Sequence, residues 1–305
     1  MLYSITLNPS IDYVIGLPKL ELGLVNRLES DHKLPGGKGI NVSRILEQLG
    51  LPSIALGFAG GFTGKFLQDR LAELGLKTDF TKVADDTRIN VKLKADQETE
   101  LNAAGPTIRP DEVNAFRSKL KHRLQPGDVV VMAGSLPAGL PETFYRDLIP
   151  DIQAAGADFV IDTTGQALLD TLADHPYVVK PNHHELAELF GDAEYDSFAA
   201  TAEAGRKLLG LGAQHVLVSM AGKGALMITK DAAYHGFCKP DKVQNSVGAG
   251  DSMLAGFTGT LAQTGDALEA FKMALACGSA TAFSIDLADK AKIDAVYQTI
   301  TVEKL

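Results

Sequence analysis

The chain has 305 residues, 45% of them hydrophobic and 22% charged, enough to bury a large core as one big domain or as a domain with an insertion. A formal charge of −9 disfavours nonspecific nucleic-acid binding and obliges any anionic substrate to find locally placed cations. Two cysteines, Cys238 and Cys277, exclude a disulfide framework and fit a reducing cytoplasm. No apolar run approaches the roughly 20 residues of a bilayer span, so no membrane partner is expected. The opening MLYSITLNPSIDY lacks a basic start and a long apolar region, and reads as a first strand rather than a signal peptide.

Along the chain, LYSITLN (2–8), SIALGFAG (53–60), DVVVMAG (128–134), DFVIDTT (158–164), YVVKPN (177–182) and HVLVSMAG (215–222) read as buried strands. Amphipathic helical stretches lie between them, among them GINVSRILEQLG (39–50), DEVNAFRSKLKHRL (111–124) and PETFYRDLIPDIQAAG (141–156). This alternation predicts a largely parallel sheet covered on both faces. Two helices, near 249–264 and 267–284, close the chain. Residues 13–31 and 87–105 break the rhythm. TRINVKLKADQETELNAAG reads as a polar β-hairpin whose Ile89, Val91 and Leu93 share one face, predicting a sheet with one covered side. The two segments pair into a small lid over an edge of the main sheet, inserted into a single domain of 1–305.

The glycine motifs carry the chemistry. GGFTGK (60–65) resembles a phosphate-binding Walker loop but has Ala59 for its first glycine and Phe66 where a hydroxyl must hold magnesium, so it reads as a strand-to-helix turn. GAGDSMLAG (248–256) lacks the third glycine of a dinucleotide fingerprint and stands too late in the chain for the rest of that domain. Its small residues do let an anion approach a helix start, where free N–H groups and the dipole attract negative charge. Asp251 there is either a cap or a base held beside a phosphate. In PGGKGINVSR (35–44), Gly36 and Gly37 precede a helix whose first turn holds Lys38, against the dipole unless an anion sits there. Asn41, one turn on, could bond a polyol. His183 and His184 are adjacent and lack the spacing of a zinc site. Asn182 and Glu185 suit either hydrated magnesium or a helix cap with an acidic first turn.

PGGKGINVSR and NSVGAGDSMLAGF (245–257) together resemble the two signatures of the ribokinase-like, PfkB-type sugar kinases. NPSIDY (8–13), AGSLP (133–137), KPNHHE (180–185) and VSMAGKGA (218–225) fall between them in that family's order, so the resemblance covers about residues 2–303. It implies a ribokinase-like three-layer α/β/α sandwich with a small β-sheet lid. TRINVKL and the GGKG form look most like the branch that phosphorylates fructose 1-phosphate at its C6 hydroxyl. Tagatose-6-phosphate kinases share GGKG, whereas the 6-phosphofructokinase branch carries a basic residue where this chain has Glu100. A sugar-phosphate sensor on a dead kinase is the rival from another class, and intact Asp251 speaks against it.

The resemblance also implies roles. Asp251 would be the catalytic base, with Gly248, Ala249 and Gly250 as an anion hole. Asp12 and Asn41 would bind sugar hydroxyls. Gly37 would belong to the sugar-binding site, Lys38 and Arg88 would hold the acceptor's phosphate with Asn90 and Ser135 nearby, and Arg27 would enter from the lid or a neighbouring subunit. Lys180, Asn182, Ser219, Gly222 and Gly224 would face the nucleotide, and Ala276, Gly278 and Ser279 would wall the adenine. ATP and Mg²⁺ are the implied cofactors, with Glu185 reaching the metal through water. A homodimer through the lid sheet is expected.

Overall fold

The computed structural model describes residues 1–305. The chain lays down β1 (Leu2–Thr6), then leaves the main sheet for β2 (Ser10–Gly16) and β3 (Ser30–Gly36), and returns through α1 (Lys38–Gln48) to β4 (Ser53–Gly60). Next come α2 (Gly61–Glu73), the short strands β5 (Lys77–Thr78) and β6 (Thr81–Val83), and a second excursion, β7 (Arg88–Lys94) and β8 (Thr99–Leu101). The parallel half is completed by α3 (Pro110–Arg123), β9 (Val129–Ala133), α4 (Phe144–Ala154) and β10 (Asp158–Asp162). Three helices, α5 (Gly165–Leu172), α6 (His183–Phe190) and α7 (Phe198–Leu211), lead to β11 (Val216–Ser219), β12 (Ala225–Ile228) and β13 (Ala233–Phe237). The last elements are α8 (Ala249–Thr264), α9 (Ala267–Ala282), α10 (Lys290–Tyr297) and β14 (Thr301–Lys304). The chain therefore closes on a helix and an edge strand beyond the two expected helices.

The main sheet runs β10-β9-β1-β4-β5 with every pair parallel, and β11-β12-β13-β14 form an antiparallel sheet. The two meet across residues 177–182. There the Tyr177 N–H donates to the Phe159 carbonyl at 2.7 Å, and Val179 and Asn182 bridge to Val216 and Ser219. YVVKPN is thus not the strand its apolar run suggested. Pro176 and Pro181 frame it, and a residue without an N–H cannot sustain a ladder.

Alternation along the strands builds the three layers. On β9, Val129 and Val131 face one core with α1, α8, α9 and α10, whereas Val130 and Met132 face another with α3 and α4. On β11, Leu217 joins the first core while Val216 and Val218 pack under α5, α6 and α7. Burial on both faces explains why these strands read as continuous apolar runs.

The small sheet has the order β3-β2-β7-β8, with β2 and β7 parallel and both outer pairs antiparallel. Its strands begin earlier than expected, at Ser10, and residues 17–29 form the connection between β2 and β3 rather than sheet. The expected hairpin is present as β7 and β8. Asn90 on its polar face is 7% exposed, whereas Ile89 on the apolar face is 40% exposed. The polar face is the covered one because it looks onto a cleft.

Candidate active site

Asp251 lies in the first turn of α8, and the three small residues before it decide its surroundings. Gly248 occupies the N-cap at φ +80°, a left-handed conformation that a side chain would strain, and no side chain caps the helix. Ala249 donates its N–H to the Ser246 carbonyl at 3.2 Å, so that amide is already spent. Of the amides expected to form an anion hole, those of Gly248 and Gly250 are free, as is that of Asp251, while a tight turn at 246–249 uses that of Ala249. A Cβ on Gly250 would meet Lys180 Nζ at 3.2 Å, so the bare backbone lets that ammonium lie over the helix start.

α1 presents a second helix start without a side-chain cap, at Gly37 with φ +125°. The two helices meet where Asn41 Nδ2 donates to Asp251 Oδ2 at 2.8 Å. Burial pushes the Asp251 carboxyl up to about 6. Asn41 opposes that rise by its hydrogen bond, Asp162 adds to it, and Lys38 and Lys180 oppose it. The result is a carboxylate poised to take a proton near neutral pH.

Asp162, at the end of β10, was not singled out from the sequence. Its Oδ2 accepts from Lys38 Nζ at 2.6 Å, and its Oδ1 lies 4.0 Å from Lys180 Nζ. Burial pulls the Lys38 ammonium down, but Asp162, with Asp251 and Glu185 beyond it, raises it overall above the ordinary lysine value. Arg88 has a different set of partners. Its Nε donates to the Asn8 carbonyl at 3.2 Å, Nη1 to the Ala103 carbonyl at 3.0 Å and Nη2 to Ser135 Oγ at 3.3 Å. Burial lowers its pKa, with Asp12 partly offsetting. Lys38 and Arg88, grouped by sequence around one phosphate, share no partner.

The small sheet supplies a third cluster. Asp12 Oδ1 accepts from Ser10 Oγ at 2.7 Å and from Asn90 Nδ2 at 3.1 Å, while Oδ2 lies 3.5 Å from Lys92 Nζ. Lys92 also pairs with Glu100 at 3.3 Å. It was missed, although strand alternation places it on the same face as Arg88 and Asn90. Asp12, Asn41, Lys92 and Glu100 line a cleft of about 560 Å³ between the small sheet and residues 244–247 and 285–287. Arg27 is exposed on the 17–29 connection.

Asn182 and Glu185 form a reciprocal cap at the start of α6. Asn182 Oδ1 accepts from the Glu185 N–H at 2.8 Å, and Glu185 Oε2 from the Asn182 N–H at 2.7 Å. Glu185 Oε1 keeps no protein partner, which suits one ligand of a magnesium ion that retains several waters. His184 pairs with Glu194 at 2.7 Å. Ser219 ends β11 beside Asn182, and Gly222 lies in the turn that follows. Gly224, at φ +88°, lets the chain pass the Gly236 carbonyl. The expected adenine wall needs correction. Ala276 is fully buried in the core, and a Cβ added at Gly278 would meet the Ala249 carbonyl at 3.2 Å; only Ser279 of the three is partly exposed. Small residues there serve close helix packing.

Comparison with known proteins shows the family to which the chain belongs. The pfkB family carbohydrate kinase profile matches residues 3–292. The 1-phosphofructokinase of Bacillus subtilis (strain 168) is 45% identical over 305 residues, covering 100% of both chains. The D-tagatose-1-phosphate kinase of Bacillus licheniformis is 35% identical over 305 residues, again covering 100% of both. Among solved structures, Escherichia coli phosphofructokinase-2 in complex with fructose-6-phosphate is 28% identical with a TM-score of 0.89, covering 97% of this chain and 98% of that one. A tetrameric inhibited form of the same enzyme has also been solved, at a TM-score of 0.88.

Proposed function

The chain belongs to the pfkB family of carbohydrate kinases, and from that premise we propose that it transfers the γ-phosphoryl group of ATP to the C6 hydroxyl of D-fructose 1-phosphate, giving fructose 1,6-bisphosphate and ADP. The observation that carries the reading is Asp251, buried at an uncapped helix start, bonded to Asn41 and with its pKa raised to about 6. A sensor would have no use for a base so tuned.

Asp251 accepts the C6 hydroxyl proton as that oxygen bonds to the γ-phosphorus and the bond to the bridging oxygen of ADP breaks. The free amides of Gly248, Gly250 and Asp251 stabilise the charge on the group in transfer, because phosphoryl transfer needs mainly positioning and electrostatic support. Asp12, with Oδ1 already fixed by Ser10 and Asn90, offers Oδ2 to a sugar hydroxyl. Arg88 and Ser135 hold the 1-phosphate, the guanidinium exchanging carbonyl partners for a dianion that binds it more strongly. Arg27, carried on an exposed connection, adds a further cation to that phosphate in an assembled dimer. Lys180, Ser219, Gly222 and Gly224 line the nucleotide side. Glu185 would hold Mg²⁺ through water, and a bound ion would supply charge neutralisation for the nucleotide phosphates.

Residues 10–36 and 88–101 act as the lid. Its outward face exposes Ile89 and Leu101, and its 17–29 connection exposes Leu22, Leu24 and Val25. An apolar sheet face and loop of this kind suit a second copy of the chain, making a homodimer. No helix is long and apolar enough to cross a membrane, and the two cysteines are unpaired, which supports a cytoplasmic location.

One relative favours a second reading, tagatose 1-phosphate, which differs from fructose 1-phosphate only in configuration at C4. Coupled ADP-release assays with the 1-phosphates and 6-phosphates of fructose and tagatose test the proposal. Highest kcat/KM with fructose 1-phosphate is expected, and preference for either 6-phosphate overturns it.

A further inference from the structure

Asp162 stands at the carboxyl end of β10, the outermost strand of the parallel run, where the sheet changes from parallel to antiparallel. Its side chain is only 13% exposed, and its two oxygens point at two different lysines, Lys38 from the start of α1 and Lys180 from the segment between the sheets. Lys180 in turn overlies Gly250 and the free amides of α8. Three elements distant in sequence thus bring their charges to one point beside Asp251.

We propose that Asp162 is a positioning residue for phosphoryl transfer: it holds Lys38 and Lys180 as a two-lysine cradle at the α8 start and releases Lys38 toward the γ-phosphate when ATP binds. The inference rests on the kinase reading above, and moves Lys38 from the acceptor's phosphate to the group in transfer. Two lysines with no carboxylate between them would repel each other in a site that is part buried, and would scatter before the anion arrived. Asp162 removes that repulsion. A phosphate then offers Lys38 several oxygens in place of one carboxylate oxygen, so the exchange is favourable only when nucleotide is present. Asp162 does not touch substrate.

The same carboxylate faces the base. Around Asp251, α1 contributes Lys38 and Asn41, β10 contributes Asp162, and the 177–182 segment contributes Lys180. Glu185, on α6, faces Lys38. Removing the Asp162 charge therefore lowers the pH at which Asp251 becomes a base, both directly and by freeing Lys38 to approach it.

The experiment compares wild-type protein with Asp162→Asn, using whichever hexose phosphate the wild type turns over best at saturating Mg-ATP. That choice separates the two ideas, because a wild type inactive on fructose 1-phosphate but active on another acceptor refutes the substrate and leaves this test intact. Asp162→Asn is expected to lose about tenfold in kcat with a smaller change in sugar-phosphate KM. The acid limb of its kcat profile is expected to move down by roughly half a pH unit or more, as loss of a nearby like charge requires. A purely structural aspartate would cost turnover and leave that limb in place, and this result overturns the proposal. Asp162→Glu, which keeps the charge, should restore the limb to its wild-type position. In a Lys38→Met background, Asp162→Asn should cost clearly less than in the wild type, since the two act together; full additivity also overturns the proposal.

Discussion

Asn41 Nδ2 donates to Asp251 Oδ2 at 2.8 Å, joining residues 210 positions apart in the chain. Through this bond the helix that follows the first glycine motif orients the carboxylate that follows the second. It also leaves Oδ1 of Asp251 as the oxygen with no side-chain donor, and so the one open to a hydroxyl proton.

Replacing Asp251 with Asn keeps the shape and an acceptor for Asn41 but removes the base. Turnover should fall about 10²–10⁴-fold, the usual contribution of general-base catalysis, while sugar-phosphate KM changes little. An ADP-coupled assay reads both, and near-normal turnover would refute the assigned role.

The same substitution should stabilise the fold at neutral pH. Asp251 titrates near 6 in the folded chain against 3.8 for an unperturbed carboxyl. Between those values the folded state binds more protons, so this group's contribution to stability falls as pH rises through the window. Above it the ionised, buried carboxylate costs on the order of 3 kcal/mol. Thermal melts of Asp251→Asn should therefore run several degrees above wild type near pH 7.5 and converge with it below about pH 4. A difference independent of pH would show that the ionisation is not its cause.

Arg88→Ala removes a guanidinium that touches Asn8, Ala103 and Ser135. Loss of a charge-assisted contact of roughly 1.5–3 kcal/mol should raise KM for the sugar phosphate about ten- to a hundredfold. KM for ATP should stay within a few-fold. A variant in which ATP suffers more would place the two substrates at opposite ends of the cleft from those proposed.

The proposed dimer can be tested at the lid connection, where Leu22 is 87% and Val25 88% exposed. Light scattering should give the mass of two chains at micromolar concentration, and the pair Leu22→Glu with Val25→Glu should give the mass of one. A wild type that stays monomeric refutes the contact.

Much of the site could be read from the chain because its motifs sit where local structure changes. Small residues before an apolar run mark the start of α8 to the residue, at Ala249, and GGKG places that of α1 within one residue, at Lys38 against the 39 expected. Asp162 escaped because an aspartate closing a strand is ordinary turn chemistry; only the fold brings Lys38 and Lys180 to it. Which face of the lid is covered was not legible for a related reason. Alternation says which residues share a side of β7, but whether that side meets protein or solvent depends on what the sheet covers. Here it covers a polar cleft, so Asn90 is buried and Ile89 exposed. Residues 177–182 show a third limit: an apolar run interrupted by proline pairs only at isolated bridges, Val179 with Val216 and Asn182 with Ser219, and does not extend into a strand.

From Asp251 to Leu261, eleven consecutive residues of α8 are buried, whereas all three residues of β8 are exposed. The proposed base thus belongs to the part of the molecule that opens last, and the lid residues proposed for the acceptor, Asp12 and Arg88, to a part that opens early. Heating should therefore silence the enzyme in two stages. The lid loosens first, so turnover declines at temperatures where the sandwich, and Asp251 within it, is still fully folded.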